Sequence, residues 1–259
     1  MTKTPLPLPW LQAGAPFPPP EHAWGENSPA PGLLAAGGAL DAMTLLRAYS
    51  EGIFPWFSDG QPLLWWSTEP RMVLAADAFA LHRSLRKKIK ALLHAQRLEI
   101  RIDTAFDEVI RACAAAPREG QSGTWISEEM IAAYCALHRV GNAHSVETWL
   151  DGSLVAGLYC VGIGKAVFGE SMFTRVTDGS KIALAALVVL CREHGVRQID
   201  CQQVTAHLAS LGAAPMPRAN FLQTVRNERE REAVEWHFSP VYWSQLLLQP
   251  TPRLHTLAA

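Results

Sequence analysis

The 259-residue sequence predicts an α+β fold, strands with flanking helices arranged as one large domain or two unequal ones. Three observations carry this reading. Between Ser145 and Phe173, three strand-like runs are divided by Asp151-Gly152 and by Gly162-Ile163-Gly164-Lys165, the turn chemistry of antiparallel neighbours. An apolar helical run, Lys181 to His194, stops at Gly195 and leads directly into a further strand, Val196 to Cys201. The first part of the chain differs in composition, being proline-rich to about residue 32 and aromatic from Ile53 to Trp66.

Taken in order, Pro5, Pro7, Pro9, Pro16, Pro18, Pro19 and Pro20 remove backbone donors and favour an irregular arm over the body of the protein. Leu33–Leu40 leads to a helix cap at Asp41, ahead of an amphipathic run through Leu45, Leu46 and Tyr49. The aromatic stretch Ile53–Trp66 reads as a hairpin around Ser58-Asp59-Gly60-Gln61-Pro62. It is either a small core or a stacking surface for a nucleobase or an apolar side chain. A strand at Met72–Leu74 precedes a helix from Ala78 to Gln96 that carries Arg83, Arg86, Lys87, Lys88 and Lys90. That basic face is either simply solvated or makes phosphate contacts.

Leu98–Ile102 reads as a strand and Phe106–Ala115 as a helix, with a polar loop from Pro117 to Gly123. Ser127 caps the next helix, whose first turn holds Glu128 and Glu129 where the helix dipole favours them. After the three-stranded meander, the long helix and the strand ending at Cys201, a short helix runs from His207 to Leu211. The tail is read as a charged helix near Gln223–Val234 and an aromatic strand near Trp236–Tyr242.

Composition bounds the function. With 49% apolar and 18% charged residues and a net charge of −1, the chain is a soluble globular type rather than a general coat for nucleic acid. The longest apolar run, Ile182–Cys191, is far short of the roughly 20 residues of a membrane span, and no signal peptide is read. Five cysteines without a CxxC pattern imply reduced thiols and a cytoplasmic protein. Nine scattered histidines lack ligand spacing, so no metal is expected.

The stretch from Phe168 to Ala213 concentrates polar groups among apolar ones. Glu170 stands between Phe168 and Met172, and Asp200 and Gln202, two residues apart, are read as sharing a strand face. A salt bridge from Glu170 to Arg175 is the ordinary alternative to a site role. The order of strands, polar loop, helix, strand and short helix is that of N-acetyltransferase-type folds. The loop Arg175–Ser180 lacks the glycine-rich pattern those folds use for pyrophosphate, and capping by Asp178 explains it equally well. His144 and His207 read as structural, and no nucleophile motif is present. The chemistry left is direct attack on a substrate activated elsewhere. An acetyl-coenzyme A-dependent acetyltransferase and an RNA-binding module without chemistry remain alternatives, with a cell-wall peptide transferase using aminoacyl-tRNA more remote.

Several motifs occur together and in order: Gly52–Phe57 (GIFPWF), Leu64–Ser67 (LWWS), Pro70-Arg71, Gly123–Ile126 (GTWI), Ala143–Ser145 (AHS), Phe168–Phe173 (FGESMF), Ile199–Gln202 (IDCQ) and His207–Ala213 (HLASLGA). On these the chain resembles the leucyl/phenylalanyl-tRNA–protein transferase family over almost its whole length. The resemblance implies a small N-terminal domain, residues 1–69, a GNAT-like catalytic domain on a mixed sheet, residues 70–259, and transfer of leucine or phenylalanine, with methionine a third candidate, from aminoacyl-tRNA to the N-terminal arginine or lysine of acceptor proteins. It implies no cofactor, and a monomer that marks its acceptors for degradation. It further implies that Trp56, Trp125 and Tyr134 line the aminoacyl-adenosine cavity and that Leu158, Phe168 and Met172 form the side-chain pocket. Glu170, Asp200 and Gln202 are the implied catalytic polar group, and Arg83, Arg86, Lys87, Lys88 and Lys90 the contact to the tRNA acceptor stem. Thr205 and Leu158 depart from the family's common asparagine and methionine.

Overall fold

The computed structural model describes residues 7–58, 60–116 and 126–248. β1 (Trp10–Leu11), β2 (Leu33–Gly37), β3 (Phe54–Pro55) and β4 (Leu64–Trp66) form a small sheet in the order β1-β2-β4-β3. The expected hairpin forms, with Phe54 opposite Trp66 and Pro55 opposite Trp65. Residues 33–37, which the sequence presents only as a lead-in to a helix, are a strand buried throughout. Asp41 caps α1 (Ala42–Ser50) as expected, its Oδ1 accepting from the Thr44 amide at 2.8 Å.

The large sheet contains β5 (Arg71–Ala75), β6 (Leu98–Ile102), β7 (Ala143–Leu150), β8 (Ser153–Ile163), β9 (Ala166–Thr174), β10 (Gln198–Asp200) and β11 (Ala214–Met216), in the order β11-β5-β10-β9-β8-β7-β6. Its helices are α2 (Arg83–His94), α3 (Phe106–Ala115), α4 (Glu128–Arg139), α5 (Gly179–Glu193), α6 (Ala206–Ser210), α7 (Arg218–Glu228) and α8 (Ser244–Leu247). The basic helix begins later than Ala78 because Ala76–Ala78 is a 3₁₀ turn and the chain through the buried Phe79 and Leu81 leaves the helical path. Ser127 caps α4, its Oγ accepting from the Met130 amide at 3.2 Å.

Each face of this sheet has its own core. Tyr159, Val161, Phe168 and Phe173 join a core with α1, α3, α4 and the small sheet. Leu158, Cys160 and Val167 face the other way, towards α2, α5 and the tail. Residues 182–191 of α5 are all buried, as a helix covered on every side requires.

The tail differs from its sequence reading. Its helix spans Arg218–Glu228, and the aromatic residues near Trp236–Tyr242 form no strand. Instead Trp236 stacks on His144 with centroids 4.0 Å apart, and Phe238 packs on Trp243. Ring contacts rather than a sheet edge bury these side chains. The tail also crosses the β8–β9 turn so closely that a Cβ on Gly164, which has φ +56°, would meet the Arg229 carbonyl oxygen at 2.5 Å.

All neighbours in the large sheet are antiparallel except β9 and β10, which are parallel and in register only at Val167–Ile199 and Phe168–Asp200. Beyond those pairs the strands part, β9 continuing along β8 to Thr174 while the chain after Asp200 turns away. The site lies in this fork.

Candidate functional site

Glu170 reaches the fork through a bulge. Tyr159 of β8 is opposite Ser171 and Cys160 is opposite Gly169, so Glu170 is the extra residue on β9. A bulge interrupts strand alternation and re-aims the side chain it carries. Here Glu170 turns towards α1 and α4, where Tyr134 donates to its Oε2 at 3.2 Å. Tyr49 and Tyr134 share a hydrogen bond at 2.5 Å, and both phenols are fully buried. On the opposite side Gln202 Nε2 donates to Glu170 Oε1 at 3.0 Å.

Gln202 is held by its backbone. It has φ +55°, left-handed and uncommon for a non-glycine residue, and thus does not continue β10. Its amide donates to Asp200 Oδ1 at 3.0 Å, while its carbonyl accepts from the Met72 amide and Thr68 Oγ1, each at 3.1 Å. Asp200 therefore does hold Gln202, but through the peptide group and not by a shared strand face. Asp200 is in turn bound by Arg71, whose Nε and Nη2 donate to its two carboxylate oxygens at 2.8 and 2.6 Å.

Charges in the fork are unequal in their surroundings. Burial pushes the Glu170 carboxyl up to about 7; the hydroxyls of Tyr49 and Tyr134 and the charge of Arg71 oppose that rise, and the charge of Asp200 adds to it. Burial first, then the Glu170 carboxylate, raises both phenols well above their usual range, so they act as neutral donors. The half-buried Cys201 thiol is pushed up to about 12, chiefly by burial, which leaves it a poor nucleophile.

The remaining sequence candidates fall into three groups. Trp56, half-buried, packs at a tilt on Trp66 with centroids 5.4 Å apart; Trp125 lies outside the described residues. Leu158 and Met172 are directly opposite each other on β8 and β9. Phe168, in contrast, is on the opposite sheet face, 5.1 Å from the Tyr49 ring. The bulge separates Phe168 from Met172, so the three do not line one surface and Phe168 instead supports Tyr49.

In the basic helix, Arg83, Lys87 and Lys90 are exposed and make no ion pair among the described residues. Arg86 donates to the Leu247 carbonyl at 3.1 Å. Lys88 donates to the Thr177 carbonyl and lies 3.6 Å from Asp178, fastening α2 to the β9–α5 turn. Asp178 does not cap α5: at φ +63° its carboxylate engages Lys181 at 3.0 Å, which with Lys88 keeps it below the usual carboxylate range. Arg175 pairs with Glu108 at 3.1 Å, and the expected alternative of a bridge to Glu170 is not formed. Thr205 caps α6 by accepting from the Leu208 amide. His144 is held by Asp103 at 2.7 Å, a structural role.

Sequence reasoning missed Tyr49 and the use made of Arg71. A cation opening an otherwise apolar strand, Arg71-Met72-Val73-Leu74, is the available signal for the second, since a buried charge demands a partner. For Tyr49 the amphipathic pattern of α1 announces burial and nothing more.

The fork thus brings together a carboxyl group raised towards neutrality, a hydrogen-bonded amide and two buried phenols, groups that can bind and orient polar reactants. Residues 73–226 match the family described as leucyl/phenylalanyl-tRNA protein transferase, and residues 38–69 match that family's N-terminal domain. A protein named leucyl/phenylalanyl-tRNA–protein transferase from a Polaromonas species is 59% identical over 98% of this chain and all of its own length. One of the same name from Albidiferax ferrireducens is 60% identical over 95% of this chain and 97% of its own. The chain belongs to the leucyl/phenylalanyl-tRNA–protein transferase family and is an aminoacyltransferase. Among solved structures, FemX aligns over 80% of this chain and 71% of its own, at 11% identity and a TM-score of 0.41, a likeness of outline.

Proposed function

We propose that this enzyme transfers leucine or phenylalanine from aminoacyl-tRNA to an N-terminal arginine or lysine, acting as a cytoplasmic monomer that marks acceptor proteins for degradation. Residues 1–69 would form the small domain and residues 70–259 the catalytic one. The observation that carries the reading is the Glu170–Gln202 contact in the fork, backed by family membership over nearly the full chain.

The acceptor's neutral α-amine attacks the carbonyl carbon of the aminoacyl ester. The new C–N bond forms, the ester C–O bond breaks, and the proton lost by the amine ends on the released ribose hydroxyl. Gln202 positions the reacting amine or ester, and Glu170 binds an amine or the ribose. A carboxyl group near pH 7 suits this work because it changes charge at little cost. Trp56 flanks the terminal adenosine, while the fully buried Tyr134 acts through its hydrogen bond to Glu170. Leu158 and Met172 receive the amino-acid side chain, discriminating by shape at about 1 to 3 kcal/mol per methylene. The exposed Arg83, Lys87 and Lys90 contact phosphates, while Arg86 and Lys88 contribute charge from positions also used to fix the helix.

The test is to incubate the purified protein with leucyl-tRNA and a peptide beginning with arginine, without ATP, metal or coenzyme A. Mass spectrometry is expected to find one leucine added at the N-terminus. No addition, with phenylalanyl-tRNA and a lysine peptide also inert, overturns the reading.

A further inference from the structure

We propose that Arg71 is a positioning residue of the transfer reaction: it holds Asp200 so that the Gln202 peptide, and through it the Gln202–Glu170 pair, keeps the geometry the reaction uses. The proposal rests on the reading of Glu170 and Gln202 given above.

Arg71 is completely buried and Asp200 nearly so. The guanidinium meets the carboxylate through two donors, the geometry that fixes orientation as well as distance. It is also gripped on its faces, with the Phe54 ring of β3 at 4.6 Å and the Phe221 ring of α7 at 4.5 Å. One side chain thus joins the small sheet, the large sheet and α7 at the base of the fork. The Asp200 oxygen that accepts from Arg71 Nε, Oδ1, also accepts the Gln202 amide. Any shift of the carboxylate is therefore transmitted to a residue whose left-handed backbone depends on such outside contacts.

Charge reinforces geometry. Around Glu170 stand Tyr49 of α1, Tyr134 of α4, Cys160 of β8, Asp200 of β10 and Arg71 of β5. Asp200 raises the Glu170 carboxyl and Arg71 lowers it, so the two charges of the pair act on it in opposite senses. With Arg71 removed, the negative charge of Asp200 is unopposed and Glu170 binds its proton more tightly.

Arg71→Lys keeps a cation but loses the paired donors and the flat faces. The expected result is a fall in kcat of about 10- to 100-fold, the scale of a misplacement of about 1 Å, with KM for leucyl-tRNA changed less than about threefold. Arg71→Met, which removes the cation, should also move the acid limb of the kcat profile to higher pH. A folded Arg71→Lys enzyme with wild-type kcat overturns the proposal. If this variant does not fold, Phe221→Leu decides, since it keeps the ion pair and removes one face of the grip. A several-fold loss of kcat at unchanged KM then supports the role, and wild-type kcat overturns it. Glu170→Gln and Gln202→Ala separate the two readings. If both of these retain wild-type kcat, the site assignment itself fails, whatever Arg71 does.

Discussion

Replacing Glu170 by glutamine should make the protein more stable at neutral and alkaline pH relative to acid while impairing transfer. The native carboxyl group is raised from 4.5 to about 7 by burial, so the folded state holds its proton more tightly than the unfolded chain does. Between those values the folded state binds more protons, and stability falls as pH rises. Taken from about pH 5 to about pH 8, this single group removes about 2 to 3 kcal/mol of stability. Glu170→Gln cannot ionise and is free of that loss. The amide keeps an acceptor for Gln202 Nε2, and the Tyr134 hydroxyl can reverse to accept from its NH₂ group, so the site stays satisfied.

The assay is urea unfolding of both proteins at the two pH values. Any constant cost of the substitution, and every other titrating group, cancels when the variant-minus-native difference at one pH is subtracted from that at the other. That difference should grow in the variant's favour by about 2 to 3 kcal/mol from acid to alkali. A difference independent of pH refutes the reasoning, because it means that the folded carboxyl titrates in the ordinary range. The transfer rate of the native enzyme should show an ionisation near pH 7, beside that of the acceptor's α-amine, and Glu170→Gln should remove the first and leave the second.

Two further outcomes test the surroundings. Replacing Arg83, Lys87 and Lys90 together by alanine should flatten the salt dependence of tRNA binding by about 0.7 to 0.9 per cation that contacts a phosphate; an unchanged slope excludes this face as the tRNA contact. Glu147, completely buried, accepts from the Ala105 amide, Ser145 Oγ and Trp149 Nε1 and so closes the start of α3. Glu147→Ala should lower the unfolding free energy by about 3 kcal/mol or more, because three donors lose their partner, and a loss under about 1 kcal/mol in urea refutes that account.

Local chemistry explains what could be read in advance. Asp41 and Ser127 cap their helices because a short oxygen-bearing side chain before an amphipathic run has an unpaired amide within reach. Asp151-Gly152 makes the β7–β8 turn because both residues accept positive φ, 51° and 77° here. Motif order likewise identified the family without coordinates. The reading failed where partners are distant. Asp178 looked like a cap, yet it meets Lys88, far away in sequence, and adopts a conformation that cannot cap.

The sequence by itself determined the α+β class, most helices and strands, and the membership of Glu170, Asp200 and Gln202 in one polar group, because side-chain pattern, turn residues and motif order are properties of neighbours along the chain. Only the tertiary structure decided how that group is built. One extra residue in β9 breaks the two-residue alternation, sending Glu170 to the phenols and parting Phe168 from Leu158 and Met172. The bond from Arg71 to Asp200 joins residues 129 positions apart, and Tyr49 meets Tyr134 across 85. Such contacts arise from the register of strands and the packing of two cores, and no short stretch of sequence encodes them.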